Sequence, residues 1–79
     1  MKIVRIYSTP TCVYCNALKK FLGEHQVAFE DIDVSRDQKA AQEMVQKSGQ
    51  LGVPVVDIAG EIVVGFDKNK IAQLLKIND

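Results

Sequence analysis

The chain carries no net charge: ten Lys and Arg balance ten Asp and Glu across 79 residues. That excludes the basic excess by which a domain is drawn to nucleic acid or to an anionic membrane surface. It also lacks any apolar run near the roughly 20 residues that span a bilayer. Its opening, Met1-Lys2-Ile3-Val4-Arg5, has neither the long apolar stretch nor the cleavage site of a secretory signal. Two prolines and five glycines are too few for a disordered or collagen-like chain. Histidine occurs once, at His25, and cysteine twice. A cytoplasmic location is therefore the expectation, and there two close cysteines point to redox catalysis or metal binding rather than to a structural staple.

What is present fits one small domain spanning residues 1–79. A hydrophobic content of 47% suffices for a packed core, although a chain this short is close to the lower limit for one. The two cysteines stand three apart in Cys12-Val13-Tyr14-Cys15, just after a strand-like segment. At that spacing two thiols serve either as metal ligands or as partners in a reversible disulfide.

The patterning places this motif. Ile3-Val4-Arg5-Ile6-Tyr7 is short and β-branched, as a buried strand is. Ser8-Thr9-Pro10-Thr11 interrupts it, and a helical pattern follows from about Cys12 to Gly23. Cys15, Leu18, Phe21 and Leu22 share one face of that helix, with Lys19, Lys20 and Glu24 off it. Gly23 or Glu24-His25-Gln26 ends the helix. Val27–Val34 reads as a second strand. Ser35-Arg36-Asp37-Gln38 has the form of a capping box, opening a helix with Ala40, Ala41, Met44 and Val45 on one side and a stop at Ser48-Gly49. Val53–Ile58 and Glu61–Val64 flank Ala59-Gly60 as a β-hairpin. Asp67 is the expected N-cap of a last helix with Ile71, Leu74 and Leu75 inward. The order β-α-β-α-β-β-α starts with a parallel pair joined by a right-handed crossover. The closing hairpin adds antiparallel strands, which is the architecture of an α/β, thioredoxin-like fold.

At the start of a helix the first cysteine meets unpaired N–H groups and the positive end of the helix dipole. The thiolate of Cys12 is thereby favoured, and the thiolate is the nucleophile in disulfide exchange. Cys15, one turn on and facing the core, is then the resolving thiol. No Lys or Arg lies within three residues of the motif, so backbone amides carry the effect unless a cation such as Lys68 arrives from elsewhere in the fold. A structural zinc site needs two further ligands. Only His25 remains, about 15 Å along the same helix at 1.5 Å per residue, so no metal ligand set is assigned within one chain. A metal shared between two chains would need only one such motif from each. Tyr14 either packs on substrate beside the sulfur or covers the helix start. Gly52-Val53-Pro54 offers a strand-opening proline, or a cis bond that leaves the Val53 backbone free to pair with an extended substrate.

Ile6-Tyr7-Ser8-Thr9-Pro10-Thr11-Cys12-Val13-Tyr14-Cys15, Gly52-Val53-Pro54 and Gly65-Phe66-Asp67, in that order, resemble the glutaredoxin family over nearly the whole chain. The resemblance implies a four-stranded mixed sheet of order 2-1-3-4 with three helices on its two faces, and a cis Val53-Pro54 bond. It implies Cys12 as nucleophile and Cys15 as resolving thiol, with no tightly bound cofactor and glutathione as co-substrate. By the same resemblance Val53 meets the cysteinyl backbone of glutathione, and Phe66 with Asp67 its γ-glutamyl end. Thr9 stands where the family commonly has a lysine for the glycyl carboxylate. Val13 stands where it commonly has proline, and Gly52 where it commonly has threonine. Val13 and Gly65-Phe66 are instead similar to the glutaredoxin-like redoxins that serve ribonucleotide reductase and draw on thioredoxin reductase.

The favoured expectation is an oxidoreductase, a monomer, acting on disulfide-containing or glutathionylated proteins with glutathione or thioredoxin reductase as electron donor. The rival of another class is a binding module without redox turnover, either metal-bridged between two copies or a thioredoxin-like adaptor. Neither nucleic acid nor membrane is an expected partner.

Overall fold

Alternation along the first strand divides the core into two halves. The structure, a computed structural model, describes residues 3–77. Successive side chains of β1 (Val4–Ser8) point to opposite faces of the sheet. Val4 and Ile6 pack with Leu18, Phe21 and Leu22 of α1 (Val13–Glu24), Val56 and Ile58 of β3 (Val55–Ile58), Val63 of β4 (Glu61–Val64) and Ile71 of α3 (Lys68–Leu75). Tyr7 faces the other way, joining Val55 and the Ala40 and Met44 side chains of α2 (Gln38–Ser48). Thus α1 and α3 cover one face and α2 the other. Ile6, Leu18, Leu22, Ile58 and Ile71 are each at most 1% exposed, and burial of such a side chain stabilises by about 1.5–3 kcal/mol.

The sheet order is β2-β1-β3-β4, with β2 (Glu30–Asp33) parallel to β1 and both other pairs antiparallel. The thioredoxin-like arrangement expected from the sequence is therefore present. Its second strand is shorter than the predicted Val27–Val34. The chain leaves α1 through Gln26 at φ +58°, and the Val27 N–H donates to Leu22 O at 2.9 Å. Val27 and Phe29 pack on the first core instead of pairing. Of the two expected ends of α1 the structure has the second: Gly23 lies inside the helix, Glu24 is its last residue and His25 its C-cap.

The predicted capping box is also displaced. Ser35 does not cap α2: its N–H and hydroxyl both donate to the Asp33 carboxylate, closing a local turn. Asp37 is the N-cap, its carboxylate accepting from Ala40 N at 3.1 Å. Gly49 ends the helix at φ +76°, a left-handed position suited to glycine.

A part-buried polar cluster lies under α2. Lys47 Nζ donates to Asp57 Oδ2 at 2.9 Å and to Tyr7 Oη at 3.1 Å, while Asp57 Oδ1 accepts from Gly60 N at 2.8 Å. The last turn of α2 is thereby tied to β1, β3 and the β3–β4 turn. That anchor fixes where the loop to Val53 departs. No helix among the described residues is long and apolar enough to cross a membrane.

Candidate functional site

The C-terminal end of β1 delivers the chain to Thr9-Pro10-Thr11, and Cys12 follows as the N-cap of α1 in extended conformation. The first turn of a helix leaves its N–H groups without intrahelical acceptors. Here the Cys15 N–H donates to Cys12 Sγ at 3.1 Å, so the sulfur takes the place that a serine or aspartate oxygen takes in an ordinary cap. The Cys12 N–H donates to Thr9 O at 3.3 Å and Asn16 N–H to Cys12 O at 3.2 Å, holding the motif at both sides. Cys12 is partly exposed and Cys15 fully buried, and both are free thiols. The asymmetry expected from the helical pattern is therefore present in the geometry.

Burial pushes the Cys15 thiol up to about 11, reinforced by its hydrogen bond to Cys12 and by charge on that sulfur. A backbone hydrogen bond from Thr9 and the charge of Lys19 act in the opposite direction.

Three segments remote in sequence meet here. Val53 O lies 4.0 Å from Cys12 Sγ, and the Val53-Pro54 bond is cis. Pro54 is buried, and its carbonyl accepts from Gly65 N at 2.8 Å. Gly65, at φ +79°, leads directly into Phe66 and Asp67. Asp67 caps α3 as predicted, accepting from Lys70 N at 3.2 Å. Phe66 is half-buried, its ring centroid 5.9 Å from that of Phe21. Thr9 is half-buried in the loop, while Val13 and Tyr14 flank Cys12 at 76% and 68% exposure. Tyr14 is thus mostly open to solvent beside the nucleophile.

Lys68 Nζ sits 5.4 Å from the centroid of the Phe21 ring. His25 is the half-buried C-cap of α1, its ring edge-on to Phe21 at 4.7 Å between centroids. Among the described residues no group of three or more His, Cys, Asp or Glu is arranged to hold a metal ion.

Lys19 is the residue that sequence reasoning set aside. It stands off the apolar face, as its spacing implied, but is part-buried and paired there. Its Nζ lies 2.8 Å from Asp31 Oδ2, with only 22% of the side chain exposed, and Ser8 Oγ donates to Asp31 Oδ1 at 2.7 Å. Lys19 is four residues past Cys15, and an i, i+4 pair lies on one helix face. That spacing was the available signal.

The family model for glutaredoxin matches residues 4–63. The uncharacterized glutaredoxin-like 8.6 kDa protein in the rubredoxin operon of Clostridium pasteurianum is 43% identical over 74 residues, 94% of this chain and 99% of that protein. Glutaredoxin 3 of Escherichia coli (strain K12) is 31% identical over 67 residues, 85% of this chain and 81% of its own. Among solved structures, the glutaredoxin-like protein NrdH-redoxin from Escherichia coli superposes with a TM-score of 0.81 at 31% identity, covering 90% of this chain and 92% of that one. The similarity extends to both kinds of redoxin at the same identity.

Proposed function

The chain belongs to the glutaredoxin family and is a thiol–disulfide oxidoreductase, and from that premise we propose that it reduces protein disulfides and glutathione mixed disulfides, with Cys12 as nucleophile and Cys15 as resolving thiol. The observation that carries this reading is the pairing of a partly exposed Cys12 sulfur, faced by a helix N–H at 3.1 Å, with a buried Cys15 one turn away.

The Cys12 thiolate attacks one sulfur of the substrate disulfide. A Cys12–substrate mixed disulfide forms and the other substrate sulfur leaves as thiolate. Cys15 loses its proton and attacks Cys12 Sγ, closing the Cys12–Cys15 disulfide and releasing the second substrate thiolate. The substrate gains two electrons and the CxxC pair loses them. With a glutathione mixed disulfide, free glutathione can replace Cys15 in the second step. In this scheme the Val53 backbone pairs with the incoming cysteine's chain. Phe66 and Asp67, at the start of α3, meet the γ-glutamyl end when glutathione is the ligand. Glutathione is a co-substrate here, and no tightly bound cofactor is invoked.

A second reading concerns the electron donor. Thr9 brings no positive charge to the loop, and Val13 presents a bare apolar surface beside the nucleophile. Both favour a redoxin that receives electrons from thioredoxin reductase and serves a ribonucleotide-reductase-type protein disulfide. The NrdH-redoxin neighbour has a thioredoxin-like activity profile. Tyr14 and Asp67 favour glutathione.

One experiment separates them. The oxidised protein is offered glutathione with glutathione reductase, and in parallel thioredoxin reductase, each with NADPH. Reduction by the first system alone supports the glutathione reading, and reduction by the second alone the other. Reduction by neither would remove both donor assignments.

A further inference from the structure

Where the buried end of β1 meets the flank of α1, the chain holds a charge that the two-thiol scheme does not use. Asp31, itself 45% exposed, commits both carboxylate oxygens at the rim of this corner, one to the Ser8 hydroxyl at 2.7 Å and one to Lys19 Nζ at 2.8 Å. Ser8 is 1% exposed and the Lys19 side chain 22%. The ammonium is thus part-buried, and water screens it less than at a free surface position. Helical side chains lean toward the helix N-terminus. The stem of Lys19 accordingly runs back over the turn that carries Cys15, and Asp31 with Ser8 keeps it from swinging into water.

We propose that Lys19, fixed by Asp31 and Ser8, is a positioning residue whose charge supports the thiolate of Cys15 in the resolving step. The inference rests on the dithiol reading above. The step is the one already balanced: Cys15 gives its proton to water and attacks Cys12 Sγ, and the substrate thiolate leaves. At that moment the buried sulfur must carry negative charge beside the sulfur of Cys12. The groups that bear on it are Cys12 and Lys19 from α1, the Thr9 backbone from the preceding loop, and Asp31 from β2 behind Lys19. Lys19 is the cation among them. Its influence on Cys15 lowers the cost of ionisation, in the sense already found for the free thiol.

The test mixes reduced protein with a symmetric aromatic disulfide whose thiol is coloured. Attack by Cys12 releases one equivalent at a rate proportional to reagent. Resolution by Cys15 releases a second at a rate independent of it. In Lys19→Gln the second phase is expected to slow about threefold to tenfold near pH 7, with its pH profile displaced upward by about half to one unit. Lys19→Arg restores it. Asp31→Asn keeps the hydrogen-bonding shape but removes the opposing negative charge, so the profile moves downward. Opposite displacements in K19Q and D31N support the proposal, and D31N alone decides it if K19Q fails to fold. Equal slowing of both phases, an unmoved profile, or displacement of both variants in the same direction overturns it. Release of a single equivalent by the unmodified protein would instead defeat the two-thiol scheme itself.

Discussion

The backbone N–H of Cys15 donates to the Cys12 sulfur at 3.1 Å, so the two cysteines are coupled twice. The amide holds the Cys12 sulfur at the helix start. Charge on Cys12 in turn opposes ionisation of the buried Cys15 thiol. One short loop at a helix start thus makes two chemically identical side chains unequal.

That inequality has a pH signature. The Cys15 thiol is held at about 11, above the ordinary 9.0, so it ionises only as pH approaches that value. Alkylation of the reduced protein with a small neutral reagent should label Cys12 alone at pH 8, with Cys15 labelling rising tenfold per pH unit toward about 11. Peptide mapping by mass spectrometry reads the two sites, and equal labelling at pH 8 would contradict the asymmetry. A raised value also stabilises the fold at low pH. This contribution is complete below about pH 9 and lost as pH rises through about 11. Cys15→Ala should lack that part of the alkaline loss in a series of thermal melts.

Removing the second thiol separates the two reactions. Cys15→Ser is expected to abolish turnover on a protein disulfide while partly sparing removal of glutathione from a mixed disulfide, and to accumulate the Cys12–substrate adduct. Cys12→Ser should abolish both. Intact-mass measurement of the trapped adduct checks the order of events. Full activity of Cys15→Ser on a protein disulfide would sink the scheme.

The cluster under α2 sets acid stability. Hydrogen bonds from Lys47 and Gly60 outweigh burial and hold the Asp57 carboxyl below its ordinary 3.8. Its contribution is therefore present above about pH 4 and is lost as pH falls through the depressed value. Asp57→Asn should be less stable at pH 7 and show a flatter acid limb. Lys47→Met leaves the Asp57 carboxylate, 12% exposed, without its cation and should cost about 1–3 kcal/mol by urea unfolding. No loss in Lys47→Met would show that the Gly60 amide alone satisfies Asp57.

A stabilising change is available in the hairpin. Ala59 and Gly60 both have positive φ, +50° and +96°, the pattern of a type I′ turn. An alanine Cβ is strained there, so Ala59→Gly should gain about 0.4–1 kcal/mol. An unchanged or lower midpoint in urea would show that the entropy of the added glycine outweighs the relieved strain.

The helices were legible because their apolar spacing is local. Cys15, Leu18, Phe21 and Leu22 stand at intervals of three, three and one, and all four are buried. The start of α2 was misplaced because Ser35 and Asp37 are both good capping residues. Asp33 decides between them by capturing the Ser35 N–H and hydroxyl, a preference that sequence spacing does not express. The place of Lys19 beside the apolar stripe was legible, but its ion pair with Asp31, from a strand that follows in the chain, was not.

By itself the sequence determined the order of elements, the helix faces, the placement of Cys12 at a helix start and the cap at Asp67, because each depends on residues within one or two turns. Tertiary structure decided what surrounds the two sulfurs. The Val53 carbonyl at 4.0 Å from Cys12, the Pro54–Gly65 link that brings Phe66 and Asp67 alongside, and the Lys19–Asp31 pair join segments up to dozens of residues apart. Those contacts exist only once β1 pairs with β2 on one side and β3 on the other, because the sheet alone sets the distance between loops that the chain leaves far apart.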